Sequence, residues 1–338
     1  MYVPPPPYHV GVQQRTLEIT ARAAGSNVAL RLAPGDPQTL QVDIGSDGSI
    51  AFQVARSAFD RVDIEAGNGA NSVRVDESNG AITTPMTIDG GRGNDSITAG
   101  SGADVISGGR GNDSVDAGRG ADTVDLGSGD DSFLWLPGEG SDVVEGGRGQ
   151  DTMNFVGADA AEQFSVAANG SRVRFTRNVG TIVMDLNGIE EVDTKALGGA
   201  DQFRAGDLTG TDLRRVAVNL HGAQGDDAAA DQVVVDGTEG NDAVVAAGST
   251  GNVSVVGLAA RVDIAGANAA QDQLALNMLG GNDIVDGAGL AADAIRLQAD
   301  GGAGNDVLIG GAGDDVLTGG PGTDVLIGGP GNNTLQQD

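Results

Sequence analysis

The chain has no cysteine. That removes disulfide frameworks and thiolate metal sites together. Aromatic residues make up only 3% of its 338 residues, so any core is built from Val, Ile, Leu and Ala. No run of about 18 apolar residues occurs, which excludes a membrane-spanning helix. The only histidines are His9 and His221. There is no H-E-x-x-H metalloprotease helix and no G-x-S-x-G nucleophile elbow. Tyr2 and Tyr8 fall in the first eight residues, and Lys195 is the only lysine. With so few groups suited to acid, base or nucleophile roles, the chain reads as not an enzyme. Positive charge is scarce as well: 19 Lys and Arg stand against 48 Asp and Glu, a formal net charge of −29. Phosphate backbones and anionic bilayers attract basic surfaces, so nucleic acid and membrane insertion are excluded as partners. So many carboxylates repel one another in a compact state. Such a chain either stays partly unfolded or is neutralised by cations.

Glycine is what the chain has in excess, with 57 residues against an ordinary share of about 7%. Much of it is periodic. Residues 90–98 read Gly-Gly-Arg-Gly-Asn-Asp-Ser-Ile-Thr, and four more nonapeptides follow without a gap to Leu134. Trp135 and Leu136 are an insertion, and two further units fill 137–154. A second block of four units runs from Gly301 to Gln336. In all eleven units positions 2 and 4 are Gly and position 8 is apolar. Position 6 is Asp95, Asp104, Asp113, Asp122, Asp131, Asp142, Asp151, Asp306, Asp315 and Asp324, and in the last unit Asn333. The glycines allow a tight loop whose carbonyls turn toward one point. The carboxylate adds the hard anionic oxygen that calcium prefers. Residues 7–9 then form a short strand whose central side chain points inward.

These units resemble the RTX, or hemolysin-type, repeat family, whose motif is G-G-x-G-x-D-x-U-x with U apolar. The resemblance implies an all-β fold, a right-handed parallel β-roll or β-solenoid with two nonapeptides per turn. It implies several calcium ions, each between loops n and n+2. The pairs would be Asp95–Asp113, Asp104–Asp122, Asp113–Asp131, Asp306–Asp324 and Asp315–Asn333. The insertion at Trp135 interrupts the 18-residue step and puts Asp122–Asp142 and Asp131–Asp151 in question. The resemblance also implies a secreted, extracellular or cell-surface protein. The expected role is structural or in interaction, with self-association or a cell-surface or matrix partner. The alternatives are a non-catalytic fragment of a larger secreted enzyme or adhesin, and a self-assembling surface-layer protein.

The rest of the chain shows the same plan, worn. Short β-rich runs alternate with Gly/Asn/Asp turns, and no stretch has a helical period. Residues 66–74, 196–204, 237–245 and 278–286 keep an apolar position 8 but carry Asn71, Asp201, Asp242 and Asp283 at position 6. For the three aspartates two readings stand, turn cap and ion ligand, and the turn cap is preferred because the loops two units away are not intact. Residues 59–74 align without gaps on 189–204, which suggests a duplication. The expected organisation is a Pro-rich extended tail over 1–14, one β-solenoid module over 15–154 and a second over 155–338. Trp135 is read as a packing plug. Arg92, Arg110, Arg119 and Arg148, at position 3, are read as solvated loop side chains.

Overall fold

The computed structural model describes residues 8–21, 24–45, 48–225 and 228–337. They divide into two compact units, one of residues 1–154 with 184–189 and one of 155–183 with 190–338. The structure is all-β. The only helical pieces among the described residues are the three-residue 3-10 turns Arg56–Ala58 and Val179–Thr181, and no helix is long and apolar enough to cross a membrane.

In the first unit one sheet runs Tyr8–Gln13, Thr16–Ala21, Arg61–Glu65, Met86–Asp89, Val105–Arg110, Thr123–Ser128, Val143–Arg148. The other runs Phe52–Ala55, Asp36–Ile44, Asn27–Ala33, Ser72–Asp76, Ser96–Thr98, Ser114–Asp116, Ser132–Trp135. From Ser72 onward successive strands alternate between the sheets and pair in parallel with their neighbours. The register sets Ile88, Ile106, Val124 and Val144 side by side in one sheet. It sets Val73, Ile97, Val115 and Phe133 side by side in the other. All eight are at most 1% exposed, so each position-8 side chain contributes about 1.5–3 kcal/mol of apolar burial.

The loops need their glycines twice over. Gly109 sits at φ +108°, and a Cβ there would lie 2.2 Å from the Gly91 carbonyl oxygen of the stacked loop. No L side chain suits both that conformation and that approach. Position 5 adds a surface row: the Asn112 N–H donates to Asn94 Oδ1 (3.0 Å), Asp130 N–H to Asn112 Oδ1 (3.1 Å) and Gln150 N–H to Asp130 Oδ1 (2.9 Å).

Two expectations change here. The extended tail over 1–14 is corrected over its second half: Tyr8–Gln13 pairs antiparallel with Thr16–Ala21. Beyond the prolines these residues have the N–H groups a ladder requires, and Gln14 and Arg15, both at positive φ, make the hairpin turn. Residues 1–7 lie outside the described residues. The insertion does not break the stack. Trp135 is fully buried, its Nε1–H donates to the Gly140 carbonyl at 2.8 Å, and the extra length loops out before Thr123↔Val143 restores the register.

In the second unit one sheet runs Arg172–Arg177, Gln163–Asn169, Gln202–Ala205, Gln232–Asp236, Gln273–Asn277, Arg296–Asp300, Val316–Thr318, Thr334–Gln336. The other runs Glu191–Lys195, Arg215–Asn219, Arg261–Ala265, Asn252–Val256, Ala243–Ser249, Ile284–Leu290, Val307–Ile309, Val325–Ile327. Most pairs are parallel. Antiparallel pairing enters at the Gln163/Arg172 hairpin and where Asn252–Val256 lies between its neighbours. Phe155, Phe164, Phe175 and Phe203 pack together with ring centroids 4.6–6.4 Å apart. Beside them Glu162 and Arg177 form a buried ion pair. A glutamine ladder crosses the first sheet: Gln202 Nε2 donates to Gln232 Oε1 (2.7 Å) and Gln232 Nε2 to Gln273 Oε1 (2.9 Å).

Candidate calcium sites

Position 6 is where the loop turns into the strand, and the turn carries its carboxylate inward. The ten aspartates named from the sequence are buried apart from Asp324, which is half-buried. Their side chains form rows in which each backbone N–H donates to a carboxylate two units further along. In the first unit one row runs Asn71 N–H to Asp95 Oδ1 (2.7 Å), Asp95 to Asp113 (2.7 Å), Asp113 to Asp131 (2.6 Å) and Asp131 to Asp151 (2.9 Å). The second runs Met86 to Asp104 (2.8 Å), Asp104 to Asp122 (2.7 Å) and Asp122 to Asp142 (2.9 Å). The pairs that straddle the insertion therefore keep the relation of the others, at a separation of 20 residues instead of 18. In the second unit Asp306 N–H donates to Asp324 Oδ1 and Asp315 N–H to Asn333 Oδ1, both at 2.9 Å.

One oxygen of each carboxylate is thus committed to the neighbouring backbone. The Oδ2 atoms of Asp95, Asp113, Asp122, Asp131, Asp142, Asp306 and Asp324 are buried without a hydrogen-bond partner. Buried carboxylate oxygens are normally satisfied by donors or cations. Several lie in a cradle that only glycine leaves open. The point where a Cβ of Gly90 would sit is 2.8 Å from Asp95 Oδ2 and 2.6 Å from the Gly108 carbonyl oxygen. At Gly108 the same two distances, to Asp113 Oδ2 and the Leu126 carbonyl, are 2.8 and 2.6 Å. At Gly301, Asp306 Oδ2 and the Gly319 carbonyl are at 2.5 and 2.8 Å. Asp104 and Asp315 differ: their Oδ2 atoms accept the Gly100 N–H at 3.4 Å and the Gly311 N–H at 2.7 Å.

No three His, Cys, Asp or Glu side chains among the described residues converge on one point. A cation here would take most of its ligands from loop carbonyls. That suits calcium, which accepts 6–8 oxygens of mixed kind, and does not suit zinc, which needs four side-chain N, S or O donors.

The electrostatics fit the same reading. Burial raises the pKa of Asp113 and Asp122 to about 7 and of Asp104 and Asp142 to about 6. Backbone hydrogen bonds oppose the shift, and neighbouring carboxylates add to it at Asp113 and Asp122. Burial also raises Asp95, Asp131, Asp306 and Asp315. Without a counter-charge Asp113 and Asp122 keep a proton for much of the time at neutral pH, and burial disfavours the charged form of the others. A divalent cation reverses that balance. Beside the insertion, Glu139 is raised to about 8, by burial first and then by Asp116, Asp142 and Asp122.

The rows continue beyond the residues identified from the sequence. Glu162 N–H donates to Asp201 Oδ1 (2.8 Å), Asp201 to Asp231 (2.8 Å) and Asp231 to Asp272 (2.9 Å). Asp242 N–H donates to Asp283 Oδ1 (2.7 Å) and Asp283 to Asp306 (2.8 Å). Sequence reasoning missed Glu162, Asp231 and Asp272 because their loops lack the glycine pattern. A weaker signal was present: all three share an acidic-Gln-apolar step with Asp201, as Glu162-Gln163-Phe164, Asp201-Gln202-Phe203, Asp231-Gln232-Val233 and Asp272-Gln273-Leu274. The position-3 arginines Arg92, Arg110, Arg119 and Arg148 are exposed.

No curated protein matches the chain. The family model of the RTX calcium-binding nonapeptide repeat matches it four times, over residues 87–115, 98–133, 138–155 and 300–335. These matches contain all ten position-6 aspartates of the two blocks. In these segments, then, the chain carries RTX calcium-binding nonapeptide repeats, and calcium is the partner they imply.

Proposed function

We propose that the chain is a secreted protein that takes up several calcium ions and completes its folding by doing so. Its role outside the cell is structural or in interaction. In this reading each ion lies between loops n and n+2 of a right-handed β-roll. Asp95, Asp104, Asp113, Asp122, Asp131, Asp142, Asp151, Asp306, Asp315 and Asp324 supply the side-chain oxygens, and loop carbonyls supply the rest. The modules 15–154 and 155–338 share one plan, plain strands leading into a calcium block.

The observation that carries the reading is the row of buried carboxylates, each with one oxygen bound to the neighbouring loop behind it and the other, in seven of them, bare. Without calcium, those charges and the entropy of the glycine-rich loops oppose the folded blocks. Extracellular modules typically bind calcium at about 10⁻⁴–10⁻³ M. Such sites stay empty in the cytosol and fill outside, so ion binding becomes folding energy. Far-UV circular dichroism in EGTA and in millimolar calcium tests this, with calorimetry on the same samples. The expected outcome is a gain of β signal with multi-site binding heat. Identical spectra and no heat would refute the reading.

A further inference from the structure

Asp283 lies outside all four matched segments, and its loop breaks the motif by placing Leu279 where the blocks have glycine. The backbone follows the block loops all the same. Leu279 has φ +68° and Gly281 +126°, beside +81° and +154° at Gly302 and Gly304. The Gly281 N–H donates to the Ala303 carbonyl (2.9 Å), and the Ala303 N–H donates to the Leu279 carbonyl (2.8 Å). In the first block Gly93, Arg110 and Gly91 make the same two bonds, at 2.6 and 2.9 Å. A leucine in the left-handed region is strained, so the loop keeps its shape against the preference of its own residue.

The carboxylate follows the block pattern too. Asp283 is 1% exposed. Its Oδ1 accepts the Asp242 N–H at 2.7 Å, and its Oδ2 is buried with no hydrogen-bond partner. Its own N–H donates to Asp306 Oδ1 at 2.8 Å, which joins it to the second block. Asp242, one step back, is different. Its Oδ2 accepts the Thr238 N–H at 2.6 Å and lies 3.1 Å from the Thr238 hydroxyl, so the chain itself meets that need.

We propose that the loop 278–283 is a further calcium site, with the ion held between Asp283 and the loop of Asp306, and that Leu279 weakens it. The row of ions then begins one unit before the second block and stops at Asp242, whose carboxylate Thr238 has taken. This rests on the reading that the matched blocks bind calcium.

Calorimetric calcium titrations of the full chain decide it, using wild type, Asp283→Asn, Leu279→Gly and Asp113→Ala. Asparagine keeps the Oδ1 acceptor, as Asn71 and Asn333 do in the same rows, so Asp283→Asn should fold and bind one ion fewer. Leu279→Gly removes the strain and should keep the ion count while tightening the weakest step about tenfold. If Asp283→Asn were to fold poorly by circular dichroism in calcium, the Leu279→Gly isotherm alone decides. Should both variants match wild type while Asp113→Ala loses ions, the Asp283 site is wrong and the blocks stand. If wild type binds no calcium at all, both readings fail.

Discussion

The position-6 aspartate does two jobs with two oxygens. Oδ1 closes the neighbouring loop by accepting its N–H, and Oδ2, without a hydrogen-bond partner in seven of the ten, is the oxygen that the proposed ion would take. Because its own N–H also reaches forward, each residue belongs to the loop behind it and the loop ahead. Asp113 lies between two aspartates, Asp95 and Asp131. Asp95 has an aspartate on one side only and the neutral Asn71 on the other. Asp113→Ala should therefore cost two bound ions and Asp95→Ala one, counted by calorimetry or by metal analysis after desalting. Equal losses would argue against the n, n+2 register. The ten aspartates were legible because glycine, carboxylate and apolar residue recur at fixed offsets. Glu162, Asp231 and Asp272 were not, since their partners are 30 to 41 residues away and no local spacing connects them.

At the scale of elements, strands of three residues such as Ser96–Thr98 and Ser114–Asp116 hold because each is paired on both sides and contributes one fully buried side chain. The alternation of apolar and polar residues made these strands legible. Pairing partners were less so. Nothing near Asn252–Val256 indicates that it enters the sheet antiparallel between Ala243–Ser249 and Arg261–Ala265, because turn geometry and long-range register decide that. The insertion at Trp135 shows how an irregularity is absorbed: the indole fills the core and the surplus residues leave the stack. As the only tryptophan, buried one strand away from the Asp122–Asp142 step, it reports on that turn. Its emission should shift to the blue and resist quenching by acrylamide when calcium is added to the EGTA-treated protein. An unchanged spectrum would mean that this turn is formed without the ion.

For the whole chain the dominant quantity is charge, −29 at neutral pH, with a buried fraction that burial keeps from ionising freely. The raised carboxylates fix the sign of the pH dependence. Asp104, Asp113, Asp122 and Asp142 titrate near 6 to 7 when folded without metal, against 3.8 as reference. The folded form then holds more protons than the unfolded form between about pH 4 and 7, so calcium-free stability falls as pH rises through that window. Thermal melts in EGTA should give a midpoint that drops from pH 5 to pH 8. In millimolar calcium the trend should reverse, because cations displace those protons, and calcium affinity should weaken below about pH 7. The rows have one more consequence. Successive strands alternate between two sheets, and the position-6 and position-5 bonds run in opposite directions, both skipping one unit. The fold therefore has a parity. Removing one nonapeptide would transfer every later strand of the unit to the opposite sheet and match each carboxylate with the wrong row. Removing two adjacent nonapeptides leaves every remaining partner in place, so such a chain can grow or shrink only by even steps.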